Sequence, residues 1–357
     1  MTPSQVLAEW GPAAGLAAGP AVLPVKSTHG DRLDLKSRFR VNPFLMAPMA
    51  GVSDAAYRTM ARAGGAGLAY TEMVSCAGLH YGGEKTWELV EPAETEPDIA
   101  IQLFGSKPEL FREAAASVCE RLGDRLALID INMACPVPKV TKKGEGSALL
   151  DSPELAASLV RSCIEGVDGR VPVTVKIRRG RRMGEEVAPD FARAMEAAGA
   201  SAIAVHGRFA NQLYHGEADW GCVDRVAKAV SVPVIGSGDV SSGQAAARML
   251  AETGASAVMV ARGSYGNPWV FRDAMALRLG ECPATHGPRE KIAAFRCHVR
   301  LLAATGANLK RARSLAGWYL RGMPEAARLR GMAVTCLTLE DYLAVADEAE
   351  RMLLDVQ

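Results

Sequence analysis

From Phe44 to Val260, short apolar runs alternate with amphipathic helical stretches, and this repeat limits the possible folds more than any other feature. Eight runs are present: Phe44–Met49, Gly67–Met73, Ile99–Phe104, Leu126–Asn132, Val173–Ile177, Ala202–His206, Val232–Ile235 and Ser256–Val260. Apolar runs without polar alternation are typical of strands buried on both faces of a parallel sheet. Eight strand and helix units in about 220 residues favour a closed (β/α)8 TIM barrel over an open sheet.

The helical stretches between the runs carry recognisable start signals. The clearest helices are predicted at Ser53–Ala63, Pro108–Leu122, Pro153–Gly166, Ala188–Ala198, Asp219–Val230 and Ser241–Glu252. Serine precedes or opens several of them, and serine is a preferred N-cap residue. On this basis the predicted caps are Ser53, Ser106, Ser152 and Ser241.

Strand patterns end after Pro268-Trp-Val-Phe271, and from Pro288 onward the apolar residues follow a helical period. The pattern therefore predicts an α/β barrel over residues 39–287 and a small all-helical domain over residues 288–357. Residues 1–38 are rich in Ala, Gly and Pro and show no sustained period. We treat them as an N-terminal extension whose order is left open.

Charge and cysteine content exclude several classes of protein. A net charge of +1 argues against binding nucleic acid over the whole surface, so any such contact must come from local clusters. The eight cysteines form no CxxC pair, which argues against both a disulfide framework and a metal site. No apolar segment is long enough to span a bilayer, and the N-terminus lacks the pattern of a signal peptide. We expect a cytoplasmic monomer without a metal.

Positive charge is concentrated in one part of the helical region. Residues 289–330 hold ten Lys and Arg against two acidic residues, whereas residues 331–357 hold one Arg against six. Such a run is more often a solvated face than a binding site. Here, however, Lys310, Arg311 and Arg313 lie close in sequence to Trp318 and Tyr319, and cations mixed with aromatic rings suit phosphates and stacked bases.

The fourth apolar run ends in Asn132 and leads directly to Cys135. Prolines at 136 and 138 stiffen the segment, and Lys139, Lys142 and Lys143 follow between glycines. The pattern predicts a thiol delivered by a strand end into a stiff basic loop. Most free cysteines are small packing residues, but this context favours a chemical role.

In a TIM barrel the residues at the carboxyl ends of the strands meet at one mouth, so the sequence gives a list of candidates. These are Pro48, Met49, Ala50, Glu72, Gln102, Asn132, Lys176, Arg178, His206, Arg208, Ser237, Gly238, Asp239, Ala261 and Arg262. Glycine turns after the seventh and eighth runs, with Arg262 beside them, suit a phosphate group. Lys176 suits either a Schiff-base nucleophile or a fixed charge beside an electron-accepting ring, and His206 suits a ligand contact or a core position.

Several motifs resemble those of the flavin-dependent tRNA-dihydrouridine synthases. They are Met46-Ala-Pro-Met-Ala-Gly-Val-Ser-Asp54, Asp130-Ile-Asn-x-x-Cys-Pro136, Gly144-x-Gly-Ser-Ala-Leu-Leu150, Val175-Lys-Ile-Arg178, Val205-His-Gly-Arg208, Gly236-x-Gly-Asp239 and Gly266-Asn-Pro-Trp-Val-Phe271. The resemblance runs from about Phe44 to Arg330 and implies a barrel that holds FMN, a helical tRNA-binding domain, and NADPH or NADH as reductant.

Carried over motif by motif, the resemblance implies a role for each matching residue. Cys135 would be the proton donor for reduction of the uridine C5–C6 bond. The residues that would bind FMN are Pro48, Met49, Ala50, Gln102, Lys176, His206, Ser237, Gly238, Asp239, Ala261 and Arg262. We expect contacts with tRNA from Asn132, Lys142, Lys143, Arg178, Arg208, Lys310, Arg311 and Arg313.

The chain departs from the family pattern at three places. Ser237 stands where the family has Asn, Ala134 where it has Gly, and Phe209-Ala210 where it has Thr-Arg. The first departure affects an expected FMN contact, and the other two affect which uridine is selected.

The reaction itself explains the need for a thiol. Hydride addition to uracil C6 leaves an enolate that needs a proton at C5 from the opposite face. A thiol is mostly protonated near neutral pH, whereas an ordinary carboxylate is already ionised. Reaching C6 also requires the base to leave its stack, at a cost of a few kcal/mol that phosphate contacts can offset.

Three other functions fit part of the pattern. A class I dihydroorotate dehydrogenase would share the barrel, FMN and a loop cysteine, but would not need the basic helical region. A phosphosugar aldolase or isomerase would use the phosphate turn and Lys176, but not Cys135 or Gln102. An RNA-binding protein built on an inactive barrel would bind tRNA without flavin.

Overall fold

The computed structural model describes residues 1–16 and 34–354, and its centre is a closed barrel of eight parallel strands. The strands are β1 Phe44–Met46, β2 Leu68–Ser75, β3 Ile99–Phe104, β4 Leu126–Met133, β5 Val173–Arg178, β6 Ala202–His206, β7 Val234–Ser237 and β8 Ala257–Val260. Each overlaps one of the apolar runs, so the predicted (β/α)8 barrel is confirmed.

Pairing of the first strand with the last closes the barrel. Leu45 of β1 lies opposite Leu68 of β2 on one side and Met259 of β8 on the other. Every residue of β4 is buried, because side chains on one face fill the barrel and those on the other pack against the helices. This burial on both faces explains why polar residues do not alternate with apolar ones in the runs.

Sixteen α-helices surround and extend the barrel within the described residues. They are α1 Pro3–Trp10, α2 Leu35–Val41, α3 Ala55–Ala63, α4 Cys76–His80, α5 Glu84–Glu88, α6 Pro108–Leu122, α7 Pro138–Thr141, α8 Pro153–Val167, α9 Ala188–Ala197, α10 Trp220–Ala229, α11 Gly243–Glu252, α12 Val270–Arg278, α13 Pro288–Ala304, α14 Ala312–Tyr319, α15 Ala326–Thr335 and α16 Leu339–Leu354. Each predicted helix is present, with ends shifted by at most two residues.

Several predicted caps are wrong by one residue. Asp54, not Ser53, caps α3 by accepting from the Tyr57 N–H at 2.9 Å, and Ser242, not Ser241, caps α11. Lys107 stands at the start of α6, and the Ser152 side chain makes no capping bond. Ser53 instead ties the preceding turn together: its hydroxyl accepts from the Met49 N–H and donates to the Met49 carbonyl.

Helices α13 to α16 pack together at one side of the barrel, and α13 also contacts α3. The side chains between them are apolar and buried, including Phe295, Leu301, Tyr319 and Tyr342. This apolar packing places the basic segment that leads into α14 beside the barrel mouth.

The N-terminal residues fold onto the same helices. In α1, Val6 and Leu7 are buried, and α1 packs against α13. The Ala14 carbonyl accepts from the Trp269 indole N–H at 2.8 Å, which fixes the segment to the barrel. The extension left open by the sequence therefore contains α1 and the start of α2, while its residues 17–33 lie outside the described ranges.

None of the helices in the described residues is long and apolar enough to cross a membrane. Across residues 1–16 and 34–354, no group of three or more His, Cys, Asp or Glu is arranged to hold a metal ion.

Candidate active site

A cavity of about 1370 Å³ opens at the carboxyl ends of the strands and extends towards the C-terminal helices. Every residue predicted to bind the cofactor lines it, namely Pro48, Met49, Ala50, Gln102, Lys176, His206, Ser237, Gly238, Asp239, Ala261 and Arg262. Cys135, Asn132 and Arg178 line it as well. The barrel brings these residues together from seven different strand ends, because parallel strands all point their carboxyl ends to the same mouth.

Cys135 is half-buried in the cavity wall on a loop fixed by the side chain of Asn132. The Asn132 Oδ1 accepts from the backbone N–H groups of Ala134 at 3.0 Å and Cys135 at 2.9 Å. The Cys135 carbonyl accepts from the Ser147 N–H at 3.0 Å. Gly146, with φ of 62°, lets this contact form, since a Cβ there would lie 2.7 Å from the same carbonyl. The Cys135 loop is therefore held by the Asn132 side chain and by a close backbone contact at Gly146.

Three basic side chains that line the cavity, those of Lys176, Arg178 and His206, have lowered pKa values, and burial lowers that of Arg178 to about 10. Burial, followed by the nearby charge of Arg178, lowers the pKa of Lys176 to about 8. Burial, followed by the charges of Lys176 and Arg178, holds the pKa of His206 well below its usual value. At neutral pH the cavity therefore presents a neutral imidazole beside a mainly protonated ammonium group.

The turn after β7 requires a glycine, because its left-handed backbone packs closely against neighbouring side chains. Gly238 has φ of 116°, and a Cβ there would lie 2.8 Å from the His206 ring. Arg262, which follows β8, stands 3.8 Å from Asp239 and places its guanidinium 4.3 Å from the centre of the Tyr214 ring. The Gly238 turn and the exposed Arg262 side chain therefore lie side by side in the cavity wall.

Comparison with known proteins decides the family. The dihydrouridine synthase (Dus) family model matches residues 45–354, which is most of the chain. The chain belongs to the dihydrouridine synthase family.

Individual relatives agree with this assignment. Over 305 residues the chain is 34% identical to a tRNA-dihydrouridine synthase B from Xanthomonas axonopodis pv. citri, covering 84% of this chain and 90% of that protein. Over 294 residues it is 36% identical to a tRNA-dihydrouridine synthase B from Pseudomonas aeruginosa, covering 81% and 87%. A probable tRNA-dihydrouridine synthase from Treponema pallidum is 40% identical over 238 residues, covering 65% and 69%.

Within this family member, the arginines predicted to contact tRNA from the strand ends have protein partners. The Arg178 guanidinium is buried and donates to the carbonyls of Ala134 at 3.0 Å and Phe209 at 3.0 Å. Arg208 does not line the cavity; it is 2% exposed and forms a two-pronged ion pair with Asp239 at 2.6 and 2.8 Å. Both arginines hold loops of the mouth together through these contacts. The Arg208 guanidinium in particular faces Asp239 and not a ligand in the cavity.

The predicted tRNA contacts outside the strand ends divide into exposed and engaged residues. Lys142, Lys143 and Lys310 are exposed. Arg311 instead donates to Glu72 at 2.8 Å and lies 3.1 Å from Asp54, and Arg313 reaches the Cys336 carbonyl at 3.5 Å. The sequence pattern predicted one role for Lys310, Arg311 and Arg313, but their tertiary contacts differ.

Some cavity residues were missed by the sequence reasoning. Tyr214 is 61% exposed at the rim, and the rings of Tyr265 and Trp318 stack with centroids 3.9 Å apart. Lys291 and Arg321 join them in the cavity wall from the C-terminal helical region. Tyr265 follows β8 and Tyr214 lies in the loop after β6, and these positions were the available signal. Placing Trp318, Lys291 and Arg321 in the wall required the packing of the C-terminal helices on the barrel.

The departures from the family pattern surround the cavity. Ser237 is buried at the end of β7 and lines the cavity. Ala134 lies in the Cys135 loop, and the Phe209 ring is covered by the Arg179 guanidinium at 4.7 Å. Ser237 and Ala134 thus belong to the cavity wall, whereas Phe209 lies behind it.

Proposed function

We propose that this dihydrouridine synthase reduces the C5–C6 bond of uridines in tRNA, with FMN bound in the cavity and NADPH or NADH as the reductant. The observation that carries the proposal is that a half-buried thiol on a fixed loop shares one cavity with a glycine turn, Arg262 and Lys176. A flavin site alone would not require that cysteine, and an RNA-binding surface alone would not require the deep cavity.

The residues present fit FMN. The cavity volume of about 1370 Å³ leaves room for a flavin and a base together. Arg262 and the backbone of the Gly238 turn, which both line the cavity, would receive the phosphate, while Gln102 and Lys176 would face the ring. When bound and reduced, the flavin supplies the hydride that adds to C6 of the uracil.

The remaining chemistry belongs to this chain. Cys135 gives the S–H proton to C5 as the C5–C6 double bond is saturated, and the resulting thiolate recovers its proton from solvent. Lys176, protonated below about pH 8, stabilises negative charge in the cavity. The neutral His206 ring adds no further positive charge but retains a nitrogen for hydrogen bonding.

Exposed cations near the mouth would hold the tRNA. Lys142 and Lys143 follow the Cys135 loop, and Lys310 precedes α14 on the other side of the mouth. Contacts from these side chains to phosphates would offset the cost of taking the target base out of its stack. In this proposal residues 39–287 carry the chemistry, residues 288–357 bind tRNA, and the protein acts as a monomer in the cytoplasm.

Mapping dihydrouridine in tRNA from cells that lack the protein tests this function. We expect one or more positions to lose dihydrouridine and to regain it when the wild-type chain is restored. The purified protein should be yellow after incubation with FMN and should oxidise NADPH in the presence of that tRNA. An unchanged dihydrouridine map, or turnover of dihydroorotate instead of tRNA, would exclude the proposal.

A further inference from the structure

A row of buried polar side chains connects the interior of the barrel to the Cys135 loop. The Thr174 hydroxyl donates to Asp130 Oδ1 at 2.7 Å, and the Gln102 amide donates through Nε2 to Asp130 Oδ2 at 2.7 Å. The Asn132 amide donates through Nδ2 to Gln102 Oε1 at 3.0 Å. Asn132 Oδ1 then accepts from the backbone N–H of Cys135 at 2.9 Å.

The direction of this row is fixed at both ends. At the loop end, two backbone N–H groups can only donate, so the oxygen of Asn132 must face them and its nitrogen must face Gln102. At the barrel end, an ionised carboxylate can only accept, so the nitrogen of Gln102 must face Asp130. Reversing either amide would set donor against donor or acceptor against acceptor.

Asp130, at the barrel end of the row, is held in place by two neighbouring strands, and at neutral pH its carboxylate accepts hydrogen bonds but does not donate them. Gln102, Asp130 and Thr174 lie opposite one another in register on β3, β4 and β5. Asp130 is 1% exposed. Burial raises its pKa to about 6, against the hydrogen bonds from Gln102 and Thr174, so the carboxylate is still mainly ionised near pH 7.

We propose that Asp130 is a positioning residue for Cys135, which it orients through Gln102 and Asn132. Asp130 touches neither the thiol nor a bound base. Its oxygen facing Gln102 sets the orientation of two amides and thereby keeps the acceptor of Asn132 on the Cys135 backbone. This inference rests on the proposed function for its catalytic consequence, but the geometric claim concerns the protein alone.

Two substitutions at position 130 separate an acceptor role from packing and from charge. Asp130→Leu keeps the same branched shape, with methyl groups in place of the oxygens, but offers Gln102 no acceptor, so the amides lose their fixed orientation. Asp130→Asn removes the charge but can keep an oxygen towards Gln102, because the Thr174 hydroxyl can accept from the new amide nitrogen. The leucine variant should disturb the Cys135 loop, and the asparagine variant should leave it close to normal.

The loop can be followed without flavin or tRNA by the rate at which iodoacetamide alkylates Cys135. Of the eight cysteines, six are buried and Cys282 is exposed, so Cys282→Ser leaves Cys135 as the accessible thiol. In this background we expect Asp130→Leu to alkylate Cys135 severalfold faster than the parent, and Asp130→Asn to match the parent. An unchanged rate in the leucine variant, or equal acceleration in both variants, would overturn the inference.

A kinetic measurement adds the catalytic consequence. With FMN bound, Asp130→Leu should lose more in transfer to tRNA, by about 10- to 100-fold, than in reduction by NADPH, because Gln102 alone faces the flavin whereas both amides position Cys135. Equal losses in both half-reactions would count against positioning of Cys135.

If Asp130→Leu does not fold, Gln102→Leu cuts the row at its middle, and its alkylation rate decides the question in the same way. If the wild-type protein makes no dihydrouridine, the proposed function fails, while the alkylation rates still decide the inference.

Discussion

At the scale of single residues, backbone geometry and burial matter more here than ion pairs. Cys135 is oriented by Asn132 and Gly146, and Lys176 owes its lowered pKa chiefly to burial. The orientation of Cys135 comes from its loop, and the lowered pKa of Lys176 comes from its buried position on β5. Substitutions at these positions are therefore expected to change chemistry without unfolding the barrel.

Cys135→Ala should separate the two halves of the reaction. The variant should fold, bind FMN and be reduced by NADPH at close to the normal rate, because none of these steps needs a proton at C5. Dihydrouridine formation should fall by roughly 10²- to 10⁴-fold, the usual contribution of a positioned acid. Stopped-flow reduction of the flavin and its reoxidation by tRNA measure the two steps.

Cys222→Ala is the matched control, since Cys222 is buried in the core away from the cavity lining. It should cost about 1 kcal/mol of stability and leave both half-reactions nearly unchanged. If Cys135→Ala behaved like this control, the thiol would be a packing residue and not the acid.

Lys176 predicts a pH dependence of stability in the cofactor-free protein. Its pKa is about 8 in the folded state and 10.5 by reference in the unfolded chain, so between these values the unfolded chain holds more protons. Stability due to this group should therefore rise with pH over that window, and below it the buried charge is a constant cost.

The measurement compares urea unfolding of the wild type and Lys176→Met at about pH 7 and about pH 9.5. We expect the free energy of unfolding of the methionine variant to exceed that of the wild type. This gap should be larger at the lower pH and should narrow at the higher pH. A gap that is equal at both values would mean that the ammonium group is not desolvated.

At the scale of elements, the segment before α14 serves two purposes that its sequence does not distinguish. Lys310 is exposed, whereas Arg311 pairs with Glu72 of β2 and Asp54, the cap of α3. Glu72 also accepts from the Gly51 N–H at 2.6 Å, next to the cavity residues Met49 and Ala50. Arg311 thus links the helical region to the barrel mouth through two buried carboxylates.

Arg311→Ala should lower stability by about 1–3 kcal/mol, because Glu72 and Asp54 are left as neighbouring buried carboxylates without a cation. Lys310→Ala should leave stability unchanged but reduce the salt dependence of tRNA binding by about one counterion. Denaturant unfolding and binding titrations at several salt concentrations test both. Adding Glu72→Gln to Arg311→Ala should recover part of the loss; no recovery would contradict the assigned ion pair.

At the scale of the whole molecule, the N-terminal segment is part of the folded unit. Leu7 is 2% exposed beneath α13, the Arg300 guanidinium lies 3.6 Å from the centre of the Trp10 ring, and Ala14 receives the Trp269 indole N–H. Trp269 in turn lines the cavity. The segment therefore supports the wall between barrel and helices.

Leu7→Ala should destabilise the protein by about 2–5 kcal/mol, the usual cost of truncating a fully buried leucine. Ala8→Ser, on the exposed face of the same helix, is the control and should change stability by less than about 0.5 kcal/mol. Thermal unfolding of both variants decides whether residues 1–16 contribute to the fold or form a dispensable tail.

The sequence by itself determined the barrel, the strand ends and most of the cavity residues that follow those ends directly. A continuous apolar run indicates a strand that is buried on both faces. Because the parallel strands of a barrel all end at the same mouth, the residues that follow them lie close together. Cys135 was recognisable because prolines, glycines and lysines surround it within a few residues.

Only the tertiary structure decided which charged and polar residues are engaged with the protein. Arg311 meets Glu72 across 239 positions, Asp130 meets Gln102 across 28, and Arg208 meets Asp239 across 31. Contacts between positions so far apart leave no local pattern, because each partner's sequence neighbourhood records only its own strand, turn or helix. Local sequence patterns thus encode the fold and the position of the mouth. Long-range hydrogen bonds set the orientation of Cys135 and decide which cations pair with protein carboxylates and which stay exposed.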